Sequence, residues 1–159
     1  MNIYLVRHGD AEKTAIGKKD FDRDLTPEGK TKIKSTVINW KNFLPEISAI
    51  ISSPYVRALN TAKIIAEVYE FKNEIIVDKK ISPGSKTDNI IEIANSIEGE
   101  EIIIVGHQPD LSLHASNLVS NGSAGIEFKK GAVAKISFRN KAHLAKGTLE
   151  YLIPAGSFK

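Results

Sequence analysis

Short apolar runs alternate with longer amphipathic stretches along most of the chain. Runs that are apolar at nearly every position are typical of strands that contact side chains on both faces of a sheet. We predict four such strands, at residues 3–6, 47–51, 74–77 and 101–105. Two further strands, which we expect to pair antiparallel, are predicted at residues 132–138 and 148–153.

Helices are predicted between the strands from capping signals and apolar spacing. Thr26 can accept a hydrogen bond at a helix N-cap, and Pro27 suits the first turn, where no backbone donor is needed. The apolar side chains that follow recur every three or four positions and so share one helix face: Ile33, Val37, Trp40 and Leu44. Further helices are predicted from Pro54, from Ser85 to about residue 97, and from Pro109 to about residue 122.

The order of these elements determines the expected architecture. Strands that alternate with helices indicate an α/β fold, because each helix carries the chain back across a parallel sheet. We therefore predict a three-layer sandwich with a mostly parallel central sheet, an antiparallel contribution and helices on both faces. The 159 residues contain no internal repeat and no long linker, so we expect residues 1–159 to form a single domain.

Composition excludes several classes of protein. No stretch reaches the roughly 20 apolar residues of a membrane span, and the first apolar run lacks the basic leader of a signal peptide. The sequence has no cysteine, which fits a reducing compartment, so we expect a cytoplasmic protein with no membrane partner. The net charge is +3, but all except four of the 22 basic residues are lysines, spread among carboxylates. Aromatic residues do not alternate with them, so we expect no nucleic-acid partner.

Reactive side chains follow three of the predicted strands. Arg7 and His8 come directly after the first strand, and Arg57 lies in the first turn of the helix after the second strand. His107 follows the fourth strand. Because ligands of parallel α/β sheets bind beyond the carboxyl ends of the strands, we expect these four side chains to meet at one edge of the sheet.

This combination of residue types suits phosphoryl transfer. Two guanidinium groups offer forked, permanently charged donors for a tetrahedral dianion, and helix N-termini near Pro54 and Pro109 would add backbone donors. A histidine can attack phosphorus through an unprotonated ring nitrogen if its other nitrogen donates to a neutral acceptor such as a backbone carbonyl. The second histidine, if protonated, would donate to the phosphoryl oxygens. Since the arginines supply positive charge, we expect neither a metal ion nor a cofactor.

Each of these residues has an ordinary structural interpretation when it is considered alone. An Arg-His pair after a strand is usually a polar loop, and an arginine on an amphipathic helix is usually solvated. The joint occurrence at successive strand ends favours a functional site instead. For His114, within a helical stretch, and His143, in a lysine-rich loop, we keep the structural interpretation.

Four segments of the chain resemble motifs of the histidine phosphatase superfamily, which has the phosphoglycerate mutase-like fold. They are similar, in family order, to its RHG signature, LTxxG helix start, SSPxxRAxxTA segment and GHxP segment: residues 5–12, 25–29, 52–62 and 105–109. The short chain, RHGDA at residues 7–11 and Ser82-Pro83-Gly84 resemble the small SixA-type branch. Members of that branch are described as phosphohistidine phosphatases that act on phosphotransfer domains.

The resemblance implies a role for each matched residue. His8 would be the phosphorylated nucleophile. Arg7, Arg57 and His107 would bind and polarise the phosphoryl group. Ser85, at a predicted helix start, is a further candidate for substrate binding, with helix capping as the alternative that we favour.

One feature of larger family members is missing from this sequence. They carry an acidic residue shortly after the third strand as general acid and base, whereas residues 79–85 contain no carboxylate. An alkoxide leaving group needs a proton because its conjugate acid has a very high pKa, while imidazole, with a pKa of about 6.5, needs far less help. The sequence therefore favours a labile P–N substrate. The carboxylates that remain open as proton donors are Asp10, Asp20, Asp22, Asp24 and Asp88.

We therefore expect a metal-independent phosphohydrolase that acts through phospho-His8 on a phosphorylated protein, such as a histidine phosphotransfer domain. A phosphatase or mutase of small phosphate esters is the alternative among enzymes, and it needs a competent acid. A non-catalytic module that binds phosphoproteins is the alternative outside enzymes. It would keep the arginines but form no phosphorylated His8.

Overall fold

Six strands form one sheet at the centre of the protein. The computed structural model describes residues 1–44 and 46–157. The strands in this part of the chain are β1 (Asn2–Arg7), β2 (Ala49–Ser52), β3 (Ile76–Val77), β4 (Glu101–Gly106), β5 (Val133–Ser137) and β6 (Thr148–Ile153). They lie in the order β3-β2-β4-β1-β5-β6.

The pairing of the strands confirms the predicted mixture of directions. β2 is parallel to both β3 and β4, and β4 is parallel to β1. β5 is antiparallel to both β1 and β6. The parallel strands therefore present their carboxyl ends along one edge, with β1 and β4 as neighbours in the middle.

Helices cover both faces of this sheet. Within residues 1–44 and 46–157 they are α1 (Pro27–Trp40), α2 (Val56–Val68), α3 (Thr87–Ser96) and α4 (Asp110–Val119). Alternate side chains of β1 point to opposite faces: Ile3 and Leu5 pack in the core with α3 and α4, and Tyr4 and Val6 pack in the core with α1 and α2. The predicted three-layer α/β sandwich is thus confirmed. No helix in the described residues is both long and apolar enough to cross a membrane.

Several boundaries differ from the predicted ones, and three of the differences bear on the core, the site or the sheet edge. α1 ends at Trp40, so Leu44 packs against the core from the following turn rather than from the helix. α2 begins later than predicted, at Val56. β3 contains only Ile76 and Val77, and both side chains are exposed, because an edge strand with little apolar burial has little to support a longer pairing.

Two motif glycines let α1 approach the segment that follows β1. α1 begins as predicted, because Thr26 Oγ1 accepts a hydrogen bond from the Gly29 N–H at 2.9 Å. A Cβ atom on Gly29 would overlap the carbonyl oxygen of Asp10. A Cβ atom on Gly9 would lie 2.6 Å from Cγ1 of Ile33, within the core under α1. Close packing at both positions therefore fixes the backbone on which the predicted site is built.

Candidate active site

The four predicted residues meet where β1 and β4 end. Arg7 is the last residue of β1 and pairs with Gly106, the last residue of β4. His8 and His107 follow these two residues, and their ring centroids lie 5.3 Å apart. Arg57, in the first turn of α2, places its Nε atom 3.3 Å from Nε2 of His8. The convergence that the strand order predicts is therefore present in the structure.

The hydrogen bonds of His8 determine which ring nitrogen carries the proton. Nδ1 lies 2.7 Å from the carbonyl oxygen of Gly9, which can only accept, so Nδ1 is the donor. Nε2 faces Nε of Arg57, which can only donate, so Nε2 carries the lone pair. His8 thus has the tautomer that nucleophilic attack through Nε2 requires.

Both histidines of the site are neutral at pH 7. Burial, followed by the charges of Arg57 and Arg7, lowers the pKa of His8 to about 4, although the bond to Gly9 opposes this shift. Burial, His8 and Arg57 lower the pKa of His107 to about 3. A cationic His107 is therefore not available at pH 7 until an anion enters the site and raises this pKa.

His107 still offers a donor in its neutral form. Its Nε2 lies 2.8 Å from Oγ of Ser53, and that oxygen also accepts the Tyr55 N–H at 3.3 Å. The Ser53 proton is then available to Nε2, an arrangement that favours a proton on Nδ1. Nδ1 is buried and has no hydrogen-bond partner among residues 1–44 and 46–157. Ser53 belongs to the SSP segment, but its contact with His107 was not predicted from the sequence.

Arg7 contributes a second unpaired donor. Its Nη1 donates to the carbonyl oxygen of Phe128 at 2.7 Å, which holds the guanidinium in place. Its Nε is buried and without a partner in the described part of the chain. Burial lowers the pKa of Arg7, and the nearby Asp10 and Glu127 partly offset this effect. Because an unpaired buried donor is costly, this atom and Nδ1 of His107 favour a ligand that supplies oxygen acceptors.

Asp20 occupies the outer side of Arg57, a contact that the sequence does not reveal. Nη1 of Arg57 donates to the Asp20 carbonyl oxygen at 2.6 Å, and Nη2 donates to Oδ2 at 2.9 Å. Arg57 itself is buried, whereas the Asp20 side chain is half exposed. Desolvation raises the pKa of Asp20, but hydrogen bonds from Arg23 and Arg57 outweigh it, so the net pKa is lowered.

The other candidate proton donors have different partners. Asp10 forms an ion pair with Lys130 at 2.8 Å, and Asp24 forms one with Lys30 at 2.7 Å. Asp88 lines a cavity beside α3 and α4 instead. Asp22 lies with Asp20 in a 3-10 turn, Asp20–Asp22. Among these carboxylates, within the residues that the structure describes, Asp20 is the one bonded to a predicted site residue.

Ser85 is held by His114. Its Oγ lies 2.9 Å from Nε2 of His114, and Thr87 Oγ1 lies 3.0 Å from Nδ1 of the same ring. The capping alternative for Ser85 is wrong, because the N-cap of α3 is Lys86 and no side chain caps it. His114 is buried and bonded through both nitrogens, as the structural interpretation expects, and His143 is exposed.

A row of rings extends from the histidines to the surface. Tyr55, the N-cap residue of α2, lies edge-on to His107 with ring centroids 5.1 Å apart. Its ring is 4.9 Å from the guanidinium carbon of Arg57 and 5.0 Å from the centroid of the Phe21 ring. The sequence gives no signal for the contacts of Tyr55 with Phe21 and His107, because they join segments that are distant in the chain.

The described residues contain no group of three or more His, Cys, Asp or Glu side chains placed to hold a metal ion. The positive charges of the site are the guanidinium groups of Arg7 and Arg57. A tetrahedral oxyanion matches these donors in both charge and geometry.

Comparison with known proteins finds similar sequences and a similar fold. A protein of Picosynechococcus with no assigned function is 29% identical over 138 residues, which cover 84% of this chain and 82% of that protein. A Haemophilus influenzae protein named a phosphohistidine phosphatase SixA homolog is 29% identical over 125 residues, covering 69% of this chain and 71% of that protein. The structure of the protein histidine phosphatase SixA complexed with tungstate superimposes with a TM-score of 0.82 at 20% identity, over 97% of both chains.

The family model for branch 1 of the histidine phosphatase superfamily matches residues 3–82, half of the chain. The matched range contains Arg7, His8 and Arg57 together with the strands and helices that position them. The fold is also that of the solved SixA structure. The chain therefore belongs to the histidine phosphatase superfamily.

Proposed function

We propose that the protein is a metal-independent phosphohydrolase that forms phospho-His8 and acts on protein phosphohistidine. The observation that carries the proposal is the state of His8. Its Nε2 lone pair lies 3.3 Å from Nε of a buried arginine, while Nδ1 donates to the Gly9 carbonyl group. A neutral, oriented imidazole beside two cations is suited to attack a phosphoryl group.

In the first step the substrate phosphoryl group takes the place of Asp20 at Arg57. Two of its three oxygens accept from the guanidinium group of Arg57, and the third accepts from Nε of Arg7 and Nδ1 of His107. Nε2 of His8 attacks phosphorus, and the bond between phosphorus and the substrate nitrogen breaks in line with the new bond. The substrate ring leaves as neutral imidazole when its other nitrogen carries a proton.

In the second step water attacks the phosphorus of phospho-His8. The bond to Nε2 breaks, its electron pair returns to the ring, and phosphate leaves with both protons of the water as H2PO4⁻, which then loses one proton to solvent. The bond from Nδ1 to the Gly9 carbonyl oxygen is kept throughout, so the ring holds its orientation. We assign the orientation of this water to Asp20, the carboxylate that contacts Arg57 in the free site.

The state of Asp20 favours the P–N substrate over an ester. In the free site desolvation of Asp20 is outweighed by hydrogen bonds from Arg23 and Arg57, which lower its net pKa, and a carboxyl group displaced into solvent has a pKa of about 3.9; Asp20 is therefore ionised at pH 7 in both positions and is a poor proton donor. An alkoxide leaving group needs such a donor, whereas imidazole, with a pKa of about 6.5, does not. The Haemophilus influenzae relative, named a phosphohistidine phosphatase SixA homolog, supports the same substrate class. We also propose that the partner is a phosphorylated protein and that the protein is located in the cytoplasm.

The proposal is tested by comparing a phosphorylated histidine phosphotransfer domain with a panel of small phosphate esters, under rapid trapping without acid. We expect faster turnover of the protein substrate and a trapped phosphoryl group on His8. His8→Ala should abolish both signals with the fold intact, whereas the exposed control His143→Ala should keep them. Undiminished activity of His8→Ala would overturn the proposed nucleophile. Ester rates far above the protein rate would overturn the substrate class, and binding without trapped phosphate would point to a non-catalytic module.

A further inference from the structure

The Tyr55 ring forms a surface beside Arg57 that the reaction steps above leave unused. The centroid of the Tyr55 ring lies 4.9 Å from the guanidinium carbon of Arg57 and 5.1 Å from the centroid of the His107 ring. These two neighbours bind the phosphoryl group in the proposed reaction. A flat group attached to that phosphoryl group therefore lies within reach of Tyr55.

Two consecutive residues of the chain occupy the position beside the Arg57 guanidinium group and the position against the Tyr55 ring. Asp20 gives its carboxylate and carbonyl oxygens to Arg57 at 2.9 and 2.6 Å. Phe21, the next residue, lays its ring against Tyr55 with the centroids 5.0 Å apart. The segment thus presents an anion to the guanidinium group and a planar ring to the tyrosine at the same time.

From this arrangement we infer that Tyr55 is a ring-binding subsite and that Asp20-Phe21 is an internal stand-in for the substrate. The ligand class is then a phosphoryl group bonded directly to a planar ring, such as the imidazole of phosphohistidine or an aryl group. The assignment of phosphohistidine as the natural ligand rests on the proposed function, but the existence of a ring-binding subsite at Tyr55 does not.

The direction of the reaction agrees with this placement. In-line displacement puts the leaving group on the side of phosphorus away from Nε2 of His8, which is the open side of the site. Phe21 is 42% exposed, so the place that its ring occupies on Tyr55 is partly open to solvent. Arg57 is buried but the Asp20 side chain is half exposed, so solvent reaches the carboxylate side of this ion pair and a ligand dianion can exchange with it.

Two non-hydrolysable ligands of the same charge test the subsite: phenylphosphonate, which carries a ring, and methylphosphonate, which does not. Binding is measured by calorimetry on the full chain, so no turnover is required. We expect phenylphosphonate to bind about threefold to tenfold more tightly, the range that one aromatic contact supplies. Tyr55→Leu should reduce this ratio to about one, and Tyr55→Phe should retain it.

Phe21→Ala provides an independent variant, because Phe21 covers the proposed subsite from outside. We expect it to tighten phenylphosphonate binding by about twofold to fivefold, with methylphosphonate binding unchanged. Weaker phenylphosphonate binding in Phe21→Ala would overturn the stand-in. An unchanged ratio in Tyr55→Leu, or equal loss of both ligands, would overturn the subsite. A protein that binds both phosphonates with the expected ratio yet forms no phospho-His8 would contradict only the proposed function.

Discussion

Acidification should destabilise this protein well before its carboxylates are protonated, because three histidines are buried in the neutral form. The pKa of His8 and of His114 is lowered to about 4, and that of His107 to about 3. In the unfolded chain each returns to about 6.5. As the pH falls below 6.5, the unfolded state binds protons that the native state does not. Stability is therefore highest above pH 6.5 and decreases as the pH falls towards 4.

The size of the effect follows from these pKa values. One pKa unit corresponds to about 1.4 kcal/mol, and pH 5 lies about 1.5 units below the unfolded value, so each histidine costs about 2 kcal/mol there. Lowering the pH from 7 to 5 should thus reduce the free energy of unfolding by about 5 kcal/mol. That is comparable with the whole stability of many domains, about 5–15 kcal/mol.

Urea unfolding followed by circular dichroism at several pH values between 7 and 5 measures this dependence. We expect a slope of about 3–4 kcal/mol per pH unit near pH 5, the value for between two and three protons taken up on unfolding. His114→Gln removes one of the three groups without touching the phosphoryl site. It should reduce the slope by about one third.

Carboxylates also contribute to acid unfolding, so the contribution of the histidines is measured by comparing the pH dependence of variants. His143→Gln is the matched control, because His143 is exposed, and its slope should equal that of the unmodified protein. A free energy of unfolding that is flat between pH 7 and 5 would refute the reasoning. Equal slopes for His114→Gln and the unmodified protein would refute the part assigned to His114.

Three further predictions follow from contacts of the site and its support. Arg57→Ala should lower kcat by about 100-fold to 1,000-fold, the cost of losing one transition-state donor, while an unchanged rate would place Arg57 outside the reaction. Asp20→Asn should lower the inhibition constant of inorganic phosphate by about twofold to fivefold, because the competing charge on Arg57 is removed; weaker inhibition would contradict this. Gly29→Ala should lower the free energy of unfolding by about 1–3 kcal/mol in urea melts, because its Cβ would overlap the Asp10 carbonyl oxygen.

Much of the fold could be predicted because it depends on local patterns. The apolar run of β4 and the spacing of Ile33 and Val37 on α1 each report burial within one element. The Thr26 cap is likewise a contact between residues close in the chain. The edge strand β3 was overestimated, since its pattern resembles that of a buried strand although its two side chains are exposed.

The contacts of the site also include some that could be predicted from the sequence and some that could not. The sequence predicts that His8 and His107 meet because each follows a strand of a parallel sheet, whose carboxyl ends share one edge, and the structure adds that β1 and β4 are neighbours there. The bond from Arg57 to Asp20 and the packing of Phe21 on Tyr55 depend on the path of a long polar segment, for which the sequence has no periodic signal. Ser85 next to a predicted helix start suggested a cap, whereas its hydroxyl is bonded to His114, 29 residues further along.

The position of β1 and β4 within the sheet has a consequence for how the substrate preference of such a protein can change. Each is hydrogen-bonded to a neighbour on both sides, so opening either strand breaks two ladders, and the backbone next to His8 and His107 belongs to the part that opens last. Residues 13–19, which lead into Asp20 and Phe21, are by contrast exposed, and exposed loops tolerate substitution. Under the proposed function, we expect exchange of this one surface segment to alter which phosphorylated compound is accepted, while the rings of His8 and His107 stay where the sheet holds them.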